Sequence, residues 1–155
     1  VTAAMPDLRL IVVGDGPLCG SLEAQAHRLG LADRVLFMGQ RPKADVQSVL
    51  KQSDLFVLNS TYEGLPHVVL EAMMAGLPVR APRAGGPPEV AIHEETGLLV
   101  EPGDHHALQA AVKRLNDVPE LGRQLAQQAR TRLMAVFSQD ACFQATEAVL
   151  MAEAQ

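Results

Sequence analysis

Tryptophan is absent from this sequence, and tyrosine occurs once. Aromatic residues make up 3% of the chain, too few to build stacking platforms for the bases of a single strand. Positive charge is scarce as well. Thirteen Lys and Arg stand against 18 Asp and Glu, a formal net charge of −5, and no Lys/Arg run occurs. That argues against a nucleic-acid duplex or an anionic membrane surface as the main partner. The two cysteines, Cys19 and Cys142, are far apart and show no metal-ligand spacing. Such usage fits a reducing compartment better than a disulfide framework. No apolar run reaches the length of a membrane span, and no charged-then-apolar signal opens the sequence. Cytoplasm is the expected compartment.

What is present is the composition of an ordinary globular domain, 48% hydrophobic and 20% charged over 155 residues. That length fits one domain, 1–155, able to bury about 70% of its unfolded surface. Leu8–Val13 is a nearly continuous β-branched run, the pattern of a strand buried on both faces. Gly14-Asp15-Gly16-Pro17 ends it, and a helix is expected over Leu18–Leu29. Further strands are expected at Val35–Met38, Leu55–Leu58, Pro78–Ala81 and Gly97–Val100. Helices are expected at Lys43–Gln52, from Pro66 to Gly76, briefly at Glu89–His93, and at Asp104–Asp117, Pro119–Phe137 and Gln139–Glu153. The alternation predicts an α/β fold. About five parallel strands would form one sheet with flanking helices and an α-rich C-terminal tail.

The stretch from Asn59 to Pro78 stands out. Pro66 fits a first helical position, and Gly76 followed by Pro78 fits a helix stop. Between them the helix is apolar almost all round, which predicts burial on most sides. Glu71 is its only charge. It either reaches water or a basic partner, or accepts hydrogen bonds from ligand hydroxyls. Free N–H groups near His67, Val68 and Val69, with the helix dipole, suit a phosphate. Glu63 and Gly64 lie in the loop before this helix. Gly64 permits close backbone approach. Glu63 would repel a phosphate, so it either faces neutral hydroxyls or is a solvated loop acid. Gly14-Asp15-Gly16-Pro17 lacks the third glycine of a dinucleotide fingerprint and reads first as a strand–helix turn. Gly85-Gly86 reads as a surface for close ligand approach or as a flexible connector. Three such turns on one sheet edge would favour a phosphate-bearing ligand.

Other residues point nowhere sharp. His105-His106 reads as a surface pair, and His93-Glu94-Glu95 lacks the zinc-protease spacing. Ser60-Thr61 has no nucleophile elbow. Met73-Met74 reads as core filling.

Glu63-Gly-Leu-Pro-His-Val-Val-Leu-Glu71 resembles the E-x7-E motif of retaining GT-B glycosyltransferases, the large group 1 family (family 4). The likeness runs through most of the chain. It takes in Leu10–Pro17, Val35–Gly39, Asp54–Leu58, Glu71–Val79, Gly85–Glu89, Thr96–Val100 and Phe137-Ser138, in the family's order. It implies a Rossmann-like domain that holds a nucleotide-sugar donor, with no metal or other cofactor. Glu63, as the catalytic-site carboxylate, and the backbone of Gly64, Leu65, Pro66 and His67 would hold the sugar hydroxyls. Glu71 would hold the ribose, and the helix N-terminus at His67–Val69 the diphosphate. Gly39, Gln40 and Arg41 resemble the edge where the base rests. Gly14, Gly16, Gly85 and Gly86 would be phosphate-loop candidates.

The sequence also departs from the family. The Arg and Lys that neutralise the departing diphosphate, the strand before them and the N-terminal acceptor domain would precede Val1. Arg80 stands where an apolar strand residue is usual, and Ala81-Pro82 where Thr or Ser is common. Arg80 is expected to pair with an acid or to sit at an exposed edge. The expected role is therefore the donor-binding part of a hexosyl-transferring enzyme, inactive as an isolated chain. Its acceptor (glycan, lipid or small molecule) would be bound by the missing domain, and the longer parent would sit peripherally at the inner membrane. The alternative is a catalytically silent nucleotide-sugar-binding or assembly module. Without the preceding strand, the Leu8–Val13 and Leu55–Leu58 strands would have unpaired edges. Those edges, or the apolar face of the final helix (Cys142, Ala145, Val149, Leu150), could support self-association.

Overall fold

A computed structural model describes residues 5–137 of the chain. The expected final helix, Gln139–Glu153, lies outside them. The chain divides between Val49 and Leu50 into two compact units.

In the first unit, β1 (Leu10–Val13) pairs in parallel with β2 (Val35–Gly39). The ladder runs from Leu10↔Val35 to Val12↔Phe37 and then slips, so that Val13 meets Gly39. Helix α1 (Cys19–Arg28) makes the crossover and packs on β2, with Ala26 as its buried residue. Gly30, at φ +68°, ends it by donating to His27 O while Leu31 N reaches Ala26 O. A turn of 3-10 helix at Ala32–Arg34 then leads into β2. The Arg34 guanidinium ties down the chain ahead of β1, with Nε 3.2 Å from Leu8 O and Nη2 2.6 Å from Met5 O. Burial of β1 on both faces is not what the structure shows. Leu10 is 50% and Ile11 42% exposed. Successive strand residues face opposite ways, so both faces of β1 are partly open. The physical reason is that a two-stranded sheet offers too little surface for helices to cover on both sides. Helix α2 (Lys43–Lys51) follows and runs across the division.

The second unit holds a three-stranded parallel sheet in the order β3 (Phe56–Val57), β4 (Val79–Pro82), β5 (Leu98–Val100). The five expected strands are present and parallel, but as sheets of two and three rather than one. Among the described residues β1 pairs only with β2, and β3 only with β4. All four residues of β4 are buried, which makes it the centre of the unit. Pro82 is its last residue, where its missing N–H does least harm. The next donor, Arg83 N, closes on Val100 O.

Helix α3 (His67–Met74) connects β3 to β4, and α4 (Pro87–Val90) begins the connection to β5. The loop after α4 carries Glu94 at φ +66°. Both carboxylate oxygens of Glu94 accept from Arg114, the Oε2 contact at 2.8 Å, and this bond holds the Glu94 carboxyl below the usual carboxylate range. Helix α5 (His105–Asp117) starts at an N-cap, where Asp104 Oδ1 accepts from Ala107 N at 2.8 Å. Helix α6 (Pro119–Val136) follows after one residue, with Pro119 in its first turn. His105 and His106 are exposed, as a surface pair should be.

The core of this unit joins Leu98 and Val100 of β5 to Ala111 and Leu115 of α5 and Leu125 of α6. Helix α6 passes close to Pro78 at Gly122, where a Cβ would be in ordinary contact with the proline ring. Leu125 is almost wholly buried in this cluster, so truncation leaves a cavity with little means of collapse. Leu125→Ala is expected to destabilise the chain by about 2–5 kcal/mol in urea unfolding, and a change under ~1 kcal/mol would show a looser core.

Candidate functional site

The site is built on the loop that leads from β3 to α3, residues 59–66, with Leu58 the last residue bonded to β4. Its direction is set where the ladder runs out: Leu58 N donates to Arg80 O at 2.9 Å, and the chain then leaves the sheet. Ligands of parallel α/β sheets bind beyond this carboxyl end of the strands. Tyr62, Gly64 and Leu65 are exposed, Glu63 is half-buried and Pro66 is buried.

Helix α3 opens at Pro66, which is the N-cap with φ −81° and ψ 89°, one residue earlier than the first-turn position expected. A proline with ψ near 90° is not yet helical, so the helix begins at His67. The change matters for the phosphate site. Pro66 O accepts from Val69 N at 2.9 Å, so Val69 is not an open donor. The N–H groups of His67 and Val68 have no acceptor among the described residues, and no side chain caps this end. The donors thus number two rather than three.

The helix sorts its residues by burial. Val69, Ala72 and Met73 are buried, whereas His67, Val68 and Glu71 share the less buried face, at the i, i+1 and i+4 positions. The expectation of burial nearly all round holds for one side only. Met74 is 44% exposed, so only Met73 of the methionine pair fills core. Glu71 is half-buried and already engages another group of the chain. Gly76 ends the helix at φ +84°, as the sequence predicts.

Gly85 and Gly86 come next to this loop. Gly86 N donates to Glu63 O at 2.9 Å. A Cβ on Gly85 would land on Glu63 O, and one on Gly86 would land on Gly64 O, both well inside contact distance. Gly85 also has φ +66°. The glycine pair is therefore neither a flexible connector nor an open surface at these positions. It lets one backbone lie directly against another, and the turn after β4 braces the loop that carries Glu63. Sequence reasoning put both segments on the site but missed that they touch. The available signal was two adjacent glycines directly after a buried strand.

Arg80 departs from both expectations. It is 1% exposed, so it is at no exposed edge, and no carboxylate pairs with it among the described residues. Its Nη1 donates to Leu58 O at 2.6 Å and to Asn59 Oδ1 at 3.2 Å. Burial pushes its guanidinium below the ordinary arginine range. The reason is its strand: β4 is covered on both faces, so a long side chain there has no route to solvent.

The remaining candidates belong to the first unit. The structure joins Gly14 and Gly39, with Gly14 N 2.9 Å from Gly39 O, and both have positive φ (130° and 65°). Gly16 N is held by Asp15 Oδ1 at 2.7 Å. Gln40 and Arg41 follow Gly39 and are exposed. For a metal, no group of three or more His, Cys, Asp or Glu stands together among the described residues. None of the described helices is long and apolar enough to cross a membrane.

With this geometry in view, comparison with known proteins is informative. The family model for glycosyl transferases group 1 matches residues 2–132. The chain belongs to this family. It is 42% identical over 132 residues to the lipopolysaccharide core biosynthesis glycosyltransferase LpsD of Rhizobium meliloti, covering 85% of this chain and 38% of that protein. Anabaena Alr3699/HepE, solved in complex with UDP and with UDP-glucose, superimposes with a TM-score of 0.85 at 30% identity, covering 95% of this chain and 42% of HepE. The C-terminal domain of a group 1 glycosyl transferase (LpcC) from Francisella tularensis gives 0.81 at 26% identity, covering 89% of this chain and 74% of that one. The fold is that of GT-B glycosyltransferases, and the chain spans about two fifths of LpsD and of HepE.

The glycine brace can be tested without a ligand. Gly86→Ala forces a methyl into Gly64 O and is expected to lose about 1–3 kcal/mol in urea unfolding. Gly20→Ala, in the first turn of α1 with open space around it, is expected to gain about 0.4–1 kcal/mol. Equal effects at the two positions would mean that the loop yields freely.

Proposed function

We propose that this chain is the donor-binding part of a retaining glycosyltransferase, which moves a hexosyl group from a nucleotide-sugar to an acceptor. The observation that carries this reading is the braced Glu63 loop running into the open N-terminus of α3. The arrangement fits a sugar diphosphate by its chemistry. A carboxylate accepts hydrogen bonds from hydroxyls, and helix N-terminal N–H groups take phosphate oxygens. The likeness to HepE, solved with UDP and UDP-glucose, supports the same ligand class here.

In this reading Glu63 and the backbone from Gly64 to His67 hold the sugar hydroxyls, and Glu71 holds the ribose. The N–H groups of His67 and Val68 meet the diphosphate. Charge grows on the leaving diphosphate as the glycosidic bond breaks, so donors preorganised toward it lower the barrier most. No metal is needed for that task if the whole protein supplies an Arg and a Lys from the segment ahead of this chain. The acceptor, whether glycan, lipid or small molecule, is bound by other parts of that longer protein. The isolated chain then binds donor without transferring it.

Calorimetric titration with UDP and GDP tests the site. Glu71→Ala removes one hydrogen-bonding carboxylate and is expected to weaken binding of the preferred nucleotide by about 0.5–1.5 kcal/mol, roughly two- to twelvefold. An unchanged Kd would remove Glu71 from the site. Metal-free sugar transfer by the purified 155-residue chain would overturn the claim that the isolated chain is inactive.

A further inference from the structure

We propose that Arg80 is a positioning residue for the sugar-facing loop: its buried guanidinium fixes the exit of β3 and, through it, the stance of Glu63. The role of the loop rests on the donor-binding reading above; the contacts themselves do not.

The argument begins with an electrostatic problem. A guanidinium that is 1% exposed, with neutral oxygens as its hydrogen-bond partners and Nε without one, is an unfavourable thing to bury. A leucine or valine in the same strand would avoid that penalty and still fill the space between the layers. Some gain must offset it, and the contacts show where. Nη1 bridges two consecutive residues, the Leu58 carbonyl and the Asn59 side-chain oxygen. These are the last residue of the β3–β4 ladder and the first residue of the loop. Hydrogen bonds from an ionised donor are directional, and the two N–H bonds of one planar Nη1 group hold two acceptors in fixed relation.

The loop is then held twice, by β4 and by the turn that follows it. Arg80 of β4 fixes its first residue, and the turn after β4 fixes Glu63 through the Gly86 N–H. Only residues 60–62 lie between the two attachments. Ser60 Oγ, within that span, is also buried without a partner. A short segment pinned at both ends has few conformations left. Preorganisation of that kind keeps a carboxylate from swinging out to solvent before the sugar arrives. Glu63 is thus held through Arg80 of β4 at one end of the segment and through the turn after β4 at the other.

Two measurements on the whole chain test this. The first is amide hydrogen exchange in Arg80→Met, which keeps most of the side-chain length and loses the donors. The amides of Leu58 and Gly86, bonded to Arg80 O and Glu63 O, are expected to exchange about tenfold faster, while Leu125 in α6 stays unchanged. The second compares UDP-glucose with UDP. The affinity ratio of the two should fall roughly two- to twelvefold, the loss of about one hydrogen bond, with UDP affinity nearly unchanged. Arg80→Lys keeps the charge and is expected to restore part of both effects. Asn59→Ala removes one of the two attachments and decides the matter should Arg80→Met fail to fold; it is expected to act in the same direction, less strongly. A uniform rise in exchange that includes Leu125, or no rise at all, would reduce Arg80 to core filling and overturn the proposal. If the wild-type chain binds neither UDP nor UDP-glucose, the donor-binding reading falls, while the exchange measurement still decides the role of Arg80.

Discussion

Backbone lying against backbone is the constraint on which the rest of the candidate site depends. Gly85 and Gly86 bring the turn after β4 so close to Glu63 and Gly64 that no side chain fits between. One hydrogen bond, Gly86 N to Glu63 O, marks the contact. Its weight comes from exclusion rather than from bond strength. Where a methyl cannot enter, the loop has one place to be. The glycines lose more entropy on folding than other residues would, and that loss is localised where a carboxylate has to be aimed.

Strand β4 stands behind that contact. It is the middle strand of its sheet, wholly buried, and it supplies both Arg80 and the turn. Helix α6 packs near Pro78 at its start through Gly122, and β5 joins it to the cluster around Leu125. The packing of the α-rich half and the attachments of the Glu63 loop thus meet near this strand.

Local rules made much of this legible in the sequence. Strand and helix order followed from period and punctuation: Gly30 and Gly76 end α1 and α3 at positive φ, and Asp104 caps α5. What escaped was tertiary. Leu10 and Ile11 read as doubly buried because β-branched runs usually are, yet burial depends on neighbours that a strand does not encode. Pro66 read as a first-turn proline, although its ψ of 89° makes it the cap and removes Val69 from the open donors. Arg80 read as an edge or paired cation, since charge rarely enters a central strand. Gly85-Gly86 was legible as unusual, but the identity of what it approaches was not. A glycine pair announces close contact without naming the partner.

The charge balance of the loop–helix unit sets the limit of what it can do. Two carboxylates and two open N–H groups suit hydroxyls and phosphate oxygens in a resting donor. Releasing a diphosphate asks for formal positive charge at the leaving oxygens, because backbone dipoles alone offset about half an elementary charge. Arg80 is buried and committed to Leu58 and Asn59, and Arg83 faces Glu101 at 3.4 Å. Neither is poised to follow a departing anion. In the reading proposed above, the unit holds the donor. In the proposed enzyme the cations that complete the reaction come from outside this loop–helix unit.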